Sequence, residues 1–483
     1  MNKTTPSFIL NGSPQEFVLA VILTTVLGIA IASYLYFGRP NTDTGIHSLG
    51  GLSFLNAWRF FTTRHDFLRE SFHRTNQRPF EFSLFQLNAR KLFFHEKSLN
   101  LNKGYAILLG GGPKLADINV NNQGSDEEAL FPLLLSDIEK ITRTWGPEGT
   151  IDPFTEVYKL VFQVTVRMAT CRELADDPAE VSQLFDLYST LEKSSTAAAL
   201  LLPWFPSPAR KAKTKATAEL FKKLCSYVEV RRNATVPSND AIDVLLAQFI
   251  LAEGVSTNTI VGFVLSTIFA GVVNSGMSVG WALIYLGMNA VWKAKATAEV
   301  RALLSRHGTS PSDPLHKQFA SIPVSAWDEE MPVADAVIRE TLRLAMSGLA
   351  IRRNLENDIA LGGHTVARGD FLTYWVSEIH FDPSVYPDPF SFDPGRYDVG
   401  REEDKRVPLA YLGWGAGRHV CAGMRLAKLE MKLVTALFLA GFEYEPVDGK
   451  GQPLTAVPQI DRNDIQRVRG DIVLNLVGDN DAA

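Results

Sequence analysis

The sequence predicts a mainly α-helical body with small β-sheets, preceded by an N-terminal transmembrane helix. Three observations carry that expectation. An uncharged apolar run extends from Phe17 to Phe37; segments with apolar residues at helical spacing follow between Asp137 and Gly287; and after residue 350 the pattern changes to short runs broken by Gly and Pro.

At 1.5 Å rise per residue, Phe17 to Phe37 spans roughly 30 Å, the thickness of a bilayer's hydrocarbon core. Tyr34 and Tyr36 lie near one end, where amphipathic rings favour the interface, and Gly38-Arg39-Pro40 stops the helix. Lys3 is the sole basic residue before the run, whereas Arg39, Arg59 and Arg64 follow it, which places the body on the cytosolic side. A cleaved signal peptide is the competing reading, because Ala30-Ile31-Ala32 resembles a cleavage site. The length of the run and the lack of a basic leader speak for an anchor. The expected organisation is a tail over 1–16, an anchor over 17–37, a linker over 38–50 and one body over 51–483.

Of the 483 residues, 46% are hydrophobic and the formal net charge is −5, a globular balance with no basic domain and no expectation of nucleic acid as partner. Three cysteines, Cys171, Cys225 and Cys421, make no disulfide framework, so each thiol is to be explained singly.

Helical periodicity runs over Asp137 to Trp145, Pro153 to Cys171, Val181 to Leu191, Pro208 to Val230 and Asn258 to Gly287. The last is apolar on nearly every face and reads as a helix buried through the body. Ser266, Asn274, Ser275 and Ser278 interrupt it, which argues against a second span. Asn274 either bonds the preceding turn or serves a ligand. Leu200 to Pro208 (LLLPWFPSP) either packs or dips into a bilayer.

Residues 414 to 423 read WGAGRHVCAG, and an amphipathic helix follows. Cys421 therefore stands on a glycine-rich turn before a helix N-terminus. Gly415, Gly417 and Gly423 let the backbone turn tightly and approach a flat ligand. Nearby N–H groups and the helix dipole favour the metal-binding thiolate, and a lone cysteine disfavours zinc. Arg418 and His419 are of the kind that suits an anionic cofactor edge.

This segment resembles the haem-ligand loop of cytochromes P450, aromatic-Gly-x-Gly-x-(Arg/His)-x-Cys-x-Gly. Two further signatures match in order. Glu340-Thr341-Leu342-Arg343 resembles ExxR, and Phe392-Asp393-Pro394-Gly395-Arg396-Tyr397 resembles the family's second signature. The resemblance implies haem b held by Cys421 as axial iron ligand, with Trp414 beside the sulfur and His419 on a propionate. It implies a further propionate arginine at Arg352 or Arg353. It also implies a buried triad of Glu340, Arg343 and Arg396 that braces the loop. The stretch over 52–72 is similar to microsomal, especially fungal, members.

One departure stands out. The family's central helix carries Ala/Gly-Gly-x-Asp/Glu-Thr, whereas this chain reads Ala270-Gly271-Val272-Val273-Asn274-Ser275. The small pair, Ala270 and Gly271, is kept for oxygen. Val273 replaces the acid and Asn274 the alcohol, and Ser275 or a water would take over the relay. The resemblance implies a monooxygenase that hydroxylates or epoxidises a lipophilic molecule, as in secondary metabolism, with electrons from an NADPH-cytochrome P450 reductase at the endoplasmic reticulum membrane. Two alternatives remain: a reductase-independent isomerase or dehydratase acting on a peroxide, and a haem-binding scaffold without turnover. The cations Arg418, Arg425, Lys428 and Lys432 form either a reductase-docking face or a solvated one. Pocket walls are expected from Asn121 to Leu134, Leu200 to Phe205, Phe269 to Asn274 and Ser347 to Ile351.

Overall fold

The computed structural model describes residues 47–49, 53–74, 80–81, 127–146, 148–202, 204–235, 240–250, 256–346, 348–361, 364–417, 420–464 and 467–478. The expected anchor over 17–37, and with it the topology of the N-terminus, lies outside them.

The principal elements, in chain order, begin with helices α1 (Ser53–Thr62), α2 (Arg64–Arg74) and α3 (Glu127–Thr142) and strand β1 (Glu148–Ile151). Helices α4 (Tyr158–Ala169), α5 (Pro178–Lys193), α6 (Pro208–Arg232), α7 (Thr257–Met288), α8 (Ala290–His307) and α9 (Pro332–Ala345) follow. The hairpin β2 (Ile359–Leu361) and β3 (His364–Val366) precedes α10 (Met424–Gly441), β4 (Phe442–Asp448) and β5 (Ile472–Gly478).

The described residues fall into two compact units. The smaller takes those before position 94 with Thr196–Phe205 and Arg353–Leu372; the larger takes the rest. In the smaller unit β2 and β3 pair antiparallel, Ile359 opposite Val366. Trp204 is 74% exposed there and Phe205 50%, so the apolar loop after Leu200 shows its rings to the outside.

In the larger unit, local chemistry sets the helix starts. Asp177 and Ser207 cap α5 and α6 with side-chain oxygens, and Pro178 and Pro208 occupy the first helical positions, where a missing N–H costs nothing. The predicted helix from Asp137 begins earlier, at Glu127. The one from Pro153 opens with a π turn, with Asp152 accepting from the Phe154 N–H at 2.8 Å. Strand β5 runs antiparallel to both β1 and β4, Leu474 lying opposite Ile151 and Pro446.

Helix α7 is the axis of this unit, packing against α4, α6, α9 and α10. The largest core cluster joins its Val279, Leu283 and Leu286 to Leu160 and Val164 of α4, Ile338 and Leu342 of α9, and Leu433, Val434 and Leu437 of α10. Two glycines permit the close approach of α4. A Cβ on Gly271 would meet Thr165 Cγ2 at 3.0 Å, and one on Gly276 would meet Tyr158 Cδ2 at 2.7 Å. Among the described residues α7 is the one helix long and apolar enough to cross a membrane, and its packing makes it a core helix instead. Burial is less uniform than the sequence predicts. Ser275 to Leu286 is buried throughout, whereas Ala270 and Asn274, one turn apart, are exposed on a shared side.

Candidate active site

Helix α9 carries the signature Glu340–Arg343. Its buried residues include both, because the i,i+3 spacing puts them on one face. Arg343 Nε meets Glu340 Oε2 and Nη2 meets Oε1, both at 2.8 Å. Nη1 of Arg343 donates to the carbonyls of His380 and Pro389, each at 2.6 Å. Arg396 closes the set from a short 3₁₀ turn, with Nε 3.1 Å from Glu340 Oε1. Glu340 also accepts from the Asp393 N–H at 3.1 Å and the Tyr397 hydroxyl at 3.0 Å. The side chains of Glu340 and Arg343 are 0% exposed and that of Arg396 2%, so the cluster is fully desolvated and fully bonded.

The network is larger than its three predicted members. Glu403, 2% exposed, takes Arg396 Nη1 at 2.9 Å and Arg401 Nη2 at 2.8 Å. Asp388, with φ 48° in the left-handed region, turns its carbonyl to Arg396 Nη2 at 2.8 Å. His380 ties this region to the cysteine segment, its Nε2 accepting from the Leu412 N–H at 2.9 Å. Burial and the Arg343 charge push the His380 pKa down to about 3, so the ring is neutral and its Nδ1 carries the proton. The sequence offers no spacing or pattern that marks Glu403 or His380.

The cysteine turn runs from Trp414 into α10. Gly415 (φ 74°) and Gly417 (φ 72°) hold left-handed conformations that only glycine adopts cheaply. The Cys421 N–H donates to the Trp414 carbonyl at 2.8 Å and closes the loop. Beyond Gly417 and Gly423 a Cβ would meet nothing within 4 Å, and Cys421 is solvent-accessible. The Trp414 ring packs on the core, and its Nε1, though buried, has no partner among the described residues. Although the residue is accessible, partial desolvation pushes the Cys421 thiol up from its ordinary value, and the Gly423 N–H pulls it down. Arg418 and His419 lie outside the described residues.

On α7, Asn274 Nδ2 donates to the Ala270 carbonyl at 2.8 Å, one turn back. Ser275 faces the other way, is buried, and lies on the side of Glu430 of α10. Gly271 faces Thr165 of α4. Arg353 belongs to the smaller unit, where its Nε reaches the Gly369 carbonyl at 3.3 Å and its guanidinium lies over the Phe371 ring at 5.5 Å. Arg352 shares the strand Leu349–Arg353. Of the expected pocket walls, 121–126, 203 and 347 lie outside the described residues. Three of the four cations read as either a docking or a solvated face have ion-pair partners within the chain, two of them sharing one aspartate. Arg425 pairs with Asp328 at 2.8 Å, while Lys428 and Lys432 pair with Asp335 at 3.1 and 3.2 Å.

The chemistry of the donors decides what this turn can hold. No group of three or more His, Cys, Asp or Glu is placed for a metal among the described residues. A single accessible sulfur above glycines with open space suits an iron whose other ligands come from its own flat macrocycle. The residues present fit a haem held by one cysteine. Comparison with known proteins agrees. The family model for cytochrome P450 matches residues 135–461. The chain is 30% identical to the cytochrome P450 monooxygenase AacuE of Aspergillus aculeatus, over 91% of this chain and 93% of that protein. It is 30% identical to the cytochrome P450 monooxygenase nsrP of Aspergillus novofumigatus over 64% of this chain and 60% of that one. The solved structure described as retinoic acid bound cyanobacterial CYP120A1 shares the fold, with a TM-score of 0.65 and 20% identity over 87% of this chain and 96% of that chain. The chain belongs to the cytochrome P450 superfamily, as a fungal-type member of the monooxygenase class.

Proposed function

We propose that the protein inserts one atom of O2 into a lipophilic small molecule, with electrons passed from NADPH through a cytochrome P450 reductase. The accessible Cys421 sulfur on its closed glycine turn is the observation that carries this reading. Haem, when bound, supplies the oxygen-activating chemistry. Cys421 gives the iron its thiolate, with Trp414, Gly415, Gly417 and Gly423 shaping the seat; His419 and one of Arg352 and Arg353 hold the propionates. Glu340, Arg343 and Arg396 act away from the chemistry and keep the segment that leads into the turn in place. Ala270 and Asn274 form the oxygen side, while Gly271 packs against Thr165 and Ser275 is turned away and buried. Asn274, tied at its Nδ2 to Ala270, offers its amide oxygen as an acceptor that steadies a proton-carrying water there. Phe17 to Phe37 anchors the body to the cytosolic face of the endoplasmic reticulum, where lipophilic substrates partition. Relatives named obtusifoliol 14-alpha demethylase (Sorghum bicolor) and sterol 14-demethylase (Arabidopsis thaliana), 25% and 24% identical, support a lipophilic substrate.

Microsomes that carry the chain, supplied with NADPH, reductase, 18O2 and a lipid extract of the source cells, test the proposal. Label from 18O2 in a product absent from Cys421→Ala microsomes is expected. Turnover of a fatty hydroperoxide without NADPH, and without label from 18O2, would replace it by the isomerase or dehydratase reading.

A further inference from the structure

Helix α5 ends on an acid that gathers partners from distant parts of the chain. Glu192, its side chain 10% exposed, takes the Tyr158 hydroxyl of α4 on Oε2 at 3.0 Å and Arg467 Nη2 on Oε1 at 3.2 Å. Tyr158 and Tyr188 bring their hydroxyls within 3.3 Å of each other, and both side chains are buried. Their i,i+4 spacing puts Tyr188 and Glu192 on one face of α5. Shortly after Glu192, at Ser195, the chain leaves the larger unit.

Arg467 stands on the second of two short antiparallel strands, Ile460–Asp461 and Arg467–Val468, opposite Asp461. Ile460 and Val468 pack with Trp281 and Tyr285 of α7, so the hairpin has its own apolar seat and the arginine reaches from there to α5. On the α7 side, the Tyr188 ring meets Phe269 with centroids 4.8 Å apart. Phe269 adjoins Ala270, and Ala270 and Asn274 are the exposed residues of that stretch of α7. The Tyr188–Phe269 pair is thus an aromatic wall at the edge of the exposed side. At its other end α5 is bound to α6, where Glu180 takes Lys223 and, at 3.0 Å, the Tyr227 hydroxyl.

We propose that the Arg467–Glu192 pair is a strap from the C-terminal hairpin to α5, which fixes the Tyr188–Phe269 wall beside the exposed side of α7 and so limits the bulk of the lipophilic molecule admitted there. Glu192 is a positioning residue, acting on the wall through Tyr158 and Tyr188. A glutamine at 192 would still take the Tyr158 hydroxyl, so its charge answers Arg467 alone. Arg467 is 38% exposed, which makes the pair a modest tie that can open, and not a foundation of the fold. The inference rests on the reading of Cys421 as the haem ligand, since that reading makes the Ala270–Asn274 side a wall of the reaction space.

The test uses the haem-loaded full chain and two nitrogen ligands of haem iron as probes, imidazole and a triphenylmethyl-imidazole, with association rates read from the Soret shift. In Arg467→Gln and in Glu192→Gln the bulky ligand is expected to bind about fivefold faster, while imidazole binds as in wild type. The double variant is expected to match the single ones, because each removes the same tie. Hydrogen exchange adds a readout independent of the iron. Amides in the last turn of α5 are expected to exchange faster in both variants, and those of its first turn to stay unchanged. Unaltered rates for the bulky ligand, an equal change for both ligands, or unaltered exchange at the end of α5 would overturn the proposal. A wild type that gives no nitrogen-ligand spectrum with imidazole would instead refute the haem reading, and this inference with it.

Discussion

Arg343 grips Glu340 fork to fork, with both N–O distances at 2.8 Å and neither side chain exposed. An ion pair so buried is neutral or costly by itself, but removal of one partner strands the other charge. Arg343→Leu is therefore expected to cost about 3–5 kcal/mol and to yield little haem-loaded protein. Haem content per chain, measured after purification, checks this. Full loading would show that the network is dispensable.

Glu430 gives stability a pH dependence of definite sign. Below the ordinary carboxyl value of 4.5 the folded and unfolded chains both hold its proton. Between there and about 8 only the folded chain does. Its contribution thus falls as pH rises through that window, by at most about 1.4 kcal/mol per unit, and is flat above it. Glu430→Gln removes the dependence, so wild type is expected to lose ground to the variant in urea midpoints between pH 5.5 and 8.5. Parallel midpoints would contradict the burial of this acid.

Gly276 is a contact of close approach. A Cβ there would meet the Tyr158 ring at 2.7 Å, and the ring is wedged beside Tyr188 and Glu192. Gly276→Ala is expected to destabilise by about 1–3 kcal/mol, because α4 must move off α7. Thermal unfolding checks it, and an unchanged midpoint would show slack between the two helices.

Much of this was legible in sequence because local rules wrote it. Periodicity located the long helices, and the glycine spacing around Cys421 announced a turn that two positive φ angles bear out. The i,i+3 spacing of Glu340 and Arg343 told which face they share, and only the tertiary fold could tell that the face is buried. Glu403 and His380 were not legible, since each joins a partner through loops without periodicity. Glu430 was legible and missed: it interrupts an apolar stripe through Leu426, Leu433 and Leu437, a place where a lone acid must find partners. Asn274 was expected inside a buried helix, but hydropathy averages over faces and does not locate the exposed side it shares with Ala270. Lys432 was counted as a surface cation although it is buried, and the partners Asp328 and Asp335 of these cations come from distant positions in the chain.

Asn274 separates the two reaction classes. As the residue that steadies a proton-carrying water, its replacement in Asn274→Ala is expected to cut product roughly 10²-fold while NADPH is still consumed and hydrogen peroxide released. Product and peroxide per NADPH, measured side by side, check it. Loss of product from a hydroperoxide, with no NADPH consumed by either protein, would favour the isomerase or dehydratase reading.

The central claim is that Cys421 supplies the iron's ligand, and the spectrum of the reduced carbon monoxide complex tests it most directly. Wild type, Cys171→Ala and Cys225→Ala are expected to show the red-shifted Soret band of thiolate ligation, because Cys171 is fully buried and Cys225, on α6, packs against a core cluster. Cys421→Ala is expected to lose it. The same band in Cys421→Ala would contradict the account.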